Sequence, residues 1–210
     1  MNNLYIIGAG GFGREVIWLV ERINTLEPTW NIVGFIDDDE TRWGTKESGY
    51  PVLGGCEYLK RMENVYAVCA VGAAKTRRLI VEKMKKSAVK FATLIDPSVL
   101  FSPKVEIGKG TIICANSILT VDIKIGEHVI INLDCTVGHD SIVENFVTIY
   151  PNVNVSGNVH LGECSELGTG VQIIQGKKIA SNTIIGAGAV VVGDIEKSGT
   201  YVGGPAKRIK

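Results

Sequence analysis

Two groups of residues have the types and spacing to do chemistry: a histidine followed by an aspartate, His139-Asp140, and a glycine-rich run, Gly8-Ala9-Gly10-Gly11-Phe12-Gly13. Imidazole titrates near neutral pH, so a histidine that reaches a substrate can take the proton an attacking amine or hydroxyl must shed. Such a base contributes on the order of 10²–10⁴ in rate. The neighbouring carboxylate can orient the ring or raise its basicity. The glycine run has the form Gly8-x-Gly10-x-x-Gly13, and Asp37 follows Gly13 at an interval near that of a dinucleotide-binding site. The region supplies roughly one mononucleotide-binding half, however, so a sugar nucleotide fits better than NAD. Its pyrophosphate would approach backbone N–H groups at a helix N-terminus, where the dipole favours negative charge. A tight turn that binds nothing is the alternative reading of these glycines.

The elements that must position these groups fall into two kinds. Up to about residue 90, strand and helix patterns alternate. Leu4–Ile7, Ile32–Ile36 and Tyr66–Val71 read as buried strands, and Arg14–Ile23 and Lys75–Lys86 as helices, the first with Val16, Val20 and Ile23 on one face. This βαβ order predicts a small parallel sheet, an α/β Rossmann-like domain over 1–90. From Ile95 to Val191, every sixth residue is apolar, 17 positions in succession. A strict period of six predicts a parallel β-helix over 91–210, each hexad forming one side and a corner, three hexads closing a triangular coil. Small or β-branched residues four places later suit the corners, and glycines one place later (Gly108, Gly126, Gly138, Gly162, Gly168, Gly186) are expected to let the backbone turn. His139 stands two places after the inward Val137, hence at an outward corner. Gly157, three hexads on and in the same column of the next coil, leaves room over the ring.

Composition narrows the partners. Lys+Arg and Asp+Glu are both 22, giving a formal charge of zero, so neither nucleic acid nor an anionic membrane surface is favoured. The opening apolar run is too short for a signal peptide and no stretch approaches a membrane span, so a protein without membrane insertion is expected. Five cysteines (Cys56, Cys69, Cys114, Cys135, Cys164) with no CxxC pair suggest reduced, packed thiols and a cytoplasmic location.

The hexad array, the segment Thr136-Val137-Gly138-His139-Asp140 and the ending Val202-Gly203-Gly204-Pro205-Ala206-Lys207-Arg208-Ile209 resemble the left-handed β-helix, hexapeptide-repeat acyltransferases. With the glycine run and Phe35-Ile36-Asp37-Asp38-Asp39, the chain is similar to the sialic acid O-acetyltransferase-like branch, which includes UDP-4-amino-sugar (bacillosamine type) and perosamine N-acetyltransferases. The resemblance implies an acetyltransferase that moves an acetyl group from acetyl-CoA, without a metal, directly to an amino or hydroxyl group of a nucleotide-linked sugar. It implies His139 as general base, with Asp140 and Asn132 assisting. Gly10, Gly11, Phe12 and Gly13, with Asp37, Asp38 and Gly72, would bind the nucleotide-sugar. Thr148, His160, Thr169, Ala187 and Lys207 would meet acetyl-CoA, Thr148 standing where the family commonly has histidine. Family subunits are homotrimers with coenzyme between neighbours. Ile123, Ile142 and Ile174, read as outward, would suit such contacts.

Two other functions compete. A β-helical zinc enzyme needs several converging histidines, whereas His128, His139 and His160 occupy three different places in their hexads. A nonenzymatic sugar-nucleotide-binding or assembly protein would have no need to retain His139 beside Asp140.

Overall fold

The computed structural model describes residues 1–210. Strand β1 (Asn2–Ile7) sends Leu4 and Ile6 to one face and Tyr5 and Ile7 to the other, all buried, as befits a central parallel strand covered on both sides. Helix α1 (Gly11–Leu26) covers the first face through Val16, Ile17 and Val20. Strand β2 (Trp30–Ile36), the short β3 (Lys46–Glu47) and β4 (Tyr50–Gly54) follow, then α2 (Cys56–Leu59), β5 (Tyr66–Cys69), α3 (Ala74–Met84) and β6 (Lys90–Phe91). Helices α2 and α3 cover the second face with Cys56, Leu59, Val81 and Met84. The sheet order is β3-β4-β2-β1-β5-β6, parallel except for the β3–β4 pair. Sequence periodicity reveals β1, β2, β5, α1 and α3. It does not reveal β3, β6 or the one-turn α2, which are too short to carry a period, nor β4, which is interrupted by Pro51.

Beyond β6 the chain winds into a parallel β-helix of three faces. The first face stacks Leu94–Ile95, Ile112–Ile113, Ile130–Ile131, Thr148–Ile149, Glu166–Leu167 and Ile184–Ile185. The second runs from Leu100–Phe101 to Val190–Val191, the third from Glu106–Ile107 to Lys178–Ile179. Successive coils pair in register at an offset of three hexads, as in Ile112↔Ile130 and Thr136↔Asn154. The inward residues, among them Ile113, Ile131, Val137, Ile149 and Leu167, make the central core. Ile123 belongs to that core and is fully buried, which corrects its expected outward position: it is a corner residue pointing in.

The glycines one place after the inward residue also have a different reason from the one expected. None of them has positive φ. A Cβ on Gly138 would come within 2.5 Å of the Gly157 nitrogen, and one on Gly162 within 2.5 Å of the Ser181 nitrogen. They permit coils to stack closely. The turn itself is made two residues later by left-handed residues such as Asp122, His128, Asp134, Asp140, Phe146, Asn152 and Asn158, with φ of 54–60°. After glycine, which fills the same place at Gly110, Gly170, Gly176 and Gly188, Asn and Asp tolerate this region best, which explains their recurrence at the hexad interval.

The N-terminal domain packs on the first face. Outward Leu94, Ile112 and Ile130 are buried with Leu4, Ile6 and Val16 in one cluster, so the doubled isoleucines of this face serve two cores. Asp96, 2% exposed, accepts two hydrogen bonds from Arg22 of α1 at 2.6 and 3.0 Å. All five cysteines are buried and unpaired. No helix is long and apolar enough to cross a membrane.

Candidate active site

His139 follows the second-face strand Thr136–Val137 and stands at the corner between the second and third faces, about half exposed. Its Nδ1 lies 2.7 Å from Asp140 Oδ2. A carboxylate accepts only, so in the neutral ring the proton sits on Nδ1 and Nε2 carries the free lone pair. The aspartate reaches this position because its own backbone is left-handed, φ 60°, the corner conformation itself. Above the ring, a Cβ on Gly157 would approach Nε2 to 2.5 Å, so glycine there is what lets the imidazole lie over the next coil. The arrangement is an oriented, accessible imidazole.

The second feature is the crevice at the carboxyl ends of β1 and β5, where the chain leaves the sheet on opposite sides and α/β sheets bind ligands. Gly8, at φ 104°, turns the chain beside Ala70. A Cβ on Gly13 would collide with the Gly8 carbonyl, so the helix start can press on the strand end only as glycine. Gly10 and Gly11 are exposed with open space before them, and α1 carries no side-chain cap, so its first N–H groups face outward. Asp37 accepts from the Ala9 amide at 2.9 Å and the Asp39 amide at 3.0 Å, bracing the glycine loop. Asp38 accepts from the Cys56 amide at 2.7 Å at the start of α2 and pairs with Lys83 at 2.9 Å. Burial opposes its charge, but these partners hold its carboxyl below the ordinary value. Both aspartates, expected at the ligand, are already engaged in shaping its surroundings. A neighbouring cavity of about 490 Å³ opens between Asp38, Trp43, Gly55, Tyr58, Arg61 and Lys83.

The opposite lip, Val71-Gly72, is held by a group that sequence reasoning missed. Arg77 of α3 is completely buried and donates to the carbonyls of His128, Val71, Gly72, Phe146 and Val147 and to Thr148 Oγ1. It has no carboxylate partner, and burial pushes it down to about 10. Thr148 is 1% exposed and donates to the Gly72 carbonyl at 2.6 Å. It is therefore a seam residue, which corrects its expected place against coenzyme.

The remaining expected residues do not converge within one chain. Asn132 lies at the preceding corner, between the first and second faces, and spends its Oδ1 on the Leu133 amide. Phe12 packs partly buried beside the first-face cluster. Thr169 and Ala187 are exposed and stacked in one column at that same corner. His160 is on the third face, its Nε2 2.7 Å from Glu144. Lys207 is exposed on a terminal hairpin joined to the first face. The three histidines stand at separate places, His128 being buried at the corner between third and first faces.

A coiled hexad core is the architecture of the left-handed β-helix, hexapeptide-repeat acyltransferases, and comparison with known proteins places this chain in that class. Residues 3–84 match the PglD N-terminal domain family. The acetyltransferase domain of PglB from Neisseria gonorrhoeae FA1090 is 33% identical, with all of both chains covered and a TM-score of 0.91, and has a second structure in complex with acetyl coenzyme A. Histidine-substituted perosamine N-acetyltransferase from Caulobacter crescentus, in complex with CoA and GDP-perosamine, is 29% identical over 100% of this chain and 98% of that one, TM-score 0.88. GDP-perosamine N-acetyltransferase of Escherichia coli O157:H7 is 29% identical over 192 residues, 89% of this chain and 84% of the relative. The chain belongs to the hexapeptide-repeat sugar N-acetyltransferases that carry the PglD N-terminal domain.

Proposed function

We propose that this protein transfers the acetyl group of acetyl-CoA directly to an amino group on a nucleotide-linked sugar, with His139 as general base. The observation that carries the reading is the His139–Asp140 contact at an open corner, with Gly157 making room for the ring. The acceptor nitrogen attacks the thioester carbonyl, Nε2 takes its proton as the N–C bond forms, and as the C–S bond breaks the departing thiolate receives that proton to give CoA and the free base. Asp140 holds the tautomer and steadies the imidazolium. No covalent enzyme intermediate is needed. The glycine loop at the start of α1 takes the diphosphate of the acceptor through backbone N–H groups. Support comes from the relatives: the Caulobacter enzyme holds CoA and GDP-perosamine together, and the gonococcal domain holds acetyl coenzyme A.

Thr169 and Ala187 are at one corner, His160 on another face and His139 at a second corner, so a complete site calls for adjacent subunits. A homotrimer with coenzyme between neighbours meets that need, and a cytoplasmic setting supplies both substrates. The test is acetyl transfer from acetyl-CoA to GDP-perosamine and UDP-4-amino sugars. His139→Ala is expected to lower kcat at least about a hundredfold with coenzyme affinity nearly unchanged. An unimpaired variant would remove the base from this account, and tight binding without turnover by the unaltered protein would favour a sugar-nucleotide-binding protein.

A further inference from the structure

The lip of the nucleotide crevice meets the β-helix at Tyr150, which stands directly above Asn132 in the next coil, at the corner between first and second faces. Its hydroxyl lies 3.5 Å from where a Cβ on Gly72 would be. The hydroxyl donates to Glu166 Oε2 at 3.2 Å, while Glu166 Oε1 accepts from the Ala74 amide at 2.9 Å, at the start of α3. Glu166 is thus fixed from two sides, and it fixes the phenol. Tyr150 is half-buried, and burial together with the charge of Glu166 holds its hydroxyl above the ordinary value, so it remains a protonated donor to that carboxylate.

With its proton committed, the Tyr150 oxygen has only lone pairs to offer a ligand. A carboxylate one hydrogen bond away makes the spot unfavourable to phosphate and favourable to a hydrogen-bond donor, above all a cation. The crevice therefore has two ends of opposite preference. The uncapped start of α1, at Gly10–Phe12, suits anionic oxygens, and Tyr150–Glu166 suits N–H or O–H groups.

We propose that Tyr150, positioned by Glu166, hydrogen-bonds the amino-bearing sugar of the nucleotide-linked acceptor, so that the β-helix selects the sugar while the glycine loop holds the diphosphate. This rests on the nucleotide-sugar reading above. It also makes Glu166 a positioning residue and Tyr150 a specificity-determining one.

Calorimetry with GDP-perosamine against GDP, and a UDP-4-amino sugar against UDP, tests it without turnover. The unaltered protein should bind one amino-sugar nucleotide about tenfold more tightly than its bare nucleotide, the size of one well-made polar contact to a charged group. Tyr150→Phe, which keeps the ring packing, should shrink that preference to about twofold and leave the bare-nucleotide Kd unchanged. Glu166→Gln, which keeps an acceptor for the Ala74 amide, should weaken it in the same direction. A Tyr150→Phe protein that keeps the full preference, or loses affinity for bare nucleotide equally, overturns the assignment while leaving the acetyltransferase reading intact. If the unaltered protein binds no probe, the nucleotide-sugar reading fails and this inference fails with it.

Discussion

An imidazole is a useful base only if it is oriented and has space, and here both requirements come from backbone features one coil apart. Asp140 can turn its carboxylate to Nδ1 because the corner places it in the left-handed region, and Gly157 leaves the ring's Nε2 side uncrowded. The second requirement can be tested without touching the histidine. Gly157 does not have positive φ, so alanine is conformationally acceptable there, but its methyl would meet the ring at 2.5 Å. Gly157→Ala is expected to displace His139 and lower kcat by about tenfold to a hundredfold, with the melting temperature nearly unchanged. Equal losses of stability and activity would mean that the glycine serves coil stacking and not the ring.

At the scale of elements, the corner between third and first faces shows how the β-helix accepts a second domain. Gly110, His128, Phe146 and Cys164 succeed one another coil by coil, and His128 stacks on Phe146 at 5.3 Å with Phe91 of β6 edge-on at 4.6 Å. Burial, with the charges of Arg77 and Lys109, pushes His128 from 6.5 down to about 4. A base whose folded value is depressed binds fewer protons folded than unfolded between those values, so stability rises with pH there. The neutral form is fully favoured above pH 6.5, and about 3 kcal/mol is lost as pH falls from 6.5 towards 4. Denaturant midpoints measured across this range should decline with acid. His128→Phe, a residue type that the same column already accepts in left-handed conformation at position 146, should flatten that decline. An identical slope in the variant would assign the acid sensitivity elsewhere.

Periodic side chains are readable from sequence, and backbone acceptors are not. The inward hexad series fixes the β-helix and puts His139 at a corner, because side-chain alternation is local and repeats with every coil. The role of Arg77 is hidden: its six acceptors are backbone carbonyls and a threonine hydroxyl contributed by the loop after β5 and two coils, and carbonyls leave no mark in a sequence. Thr148 is misplaced for a related reason. Its hexad position says outward, but only the packed N-terminal domain makes outward mean buried. Ile123 fails in the opposite direction, since the fourth place after an inward residue points into the core when it is apolar.

For the whole molecule, the tension in a single chain is that the crevice proposed for the nucleotide opens at the corner between first and second faces while His139 stands at the next corner. A neighbouring copy that brings its own corner to this crevice removes the tension. Two exposed isoleucines flank the histidine's corner, Ile118 on the second face at 41% and Ile142 on the third at 42%. Apolar side chains so placed would be covered by such a contact, whereas a charge there would have to be desolvated. The proposed trimer should therefore have three times the chain's mass in sedimentation, and Ile142→Glu should shift it towards monomer. Activity should fall in proportion to the loss of trimer and recover as protein concentration is raised. His139→Ala, in contrast, should lose activity at every concentration with its mass unchanged. If Ile142→Glu stays fully active as a monomer, the base and the crevice must cooperate within one chain, and the corner-to-corner distance would have to be bridged by the acceptor itself.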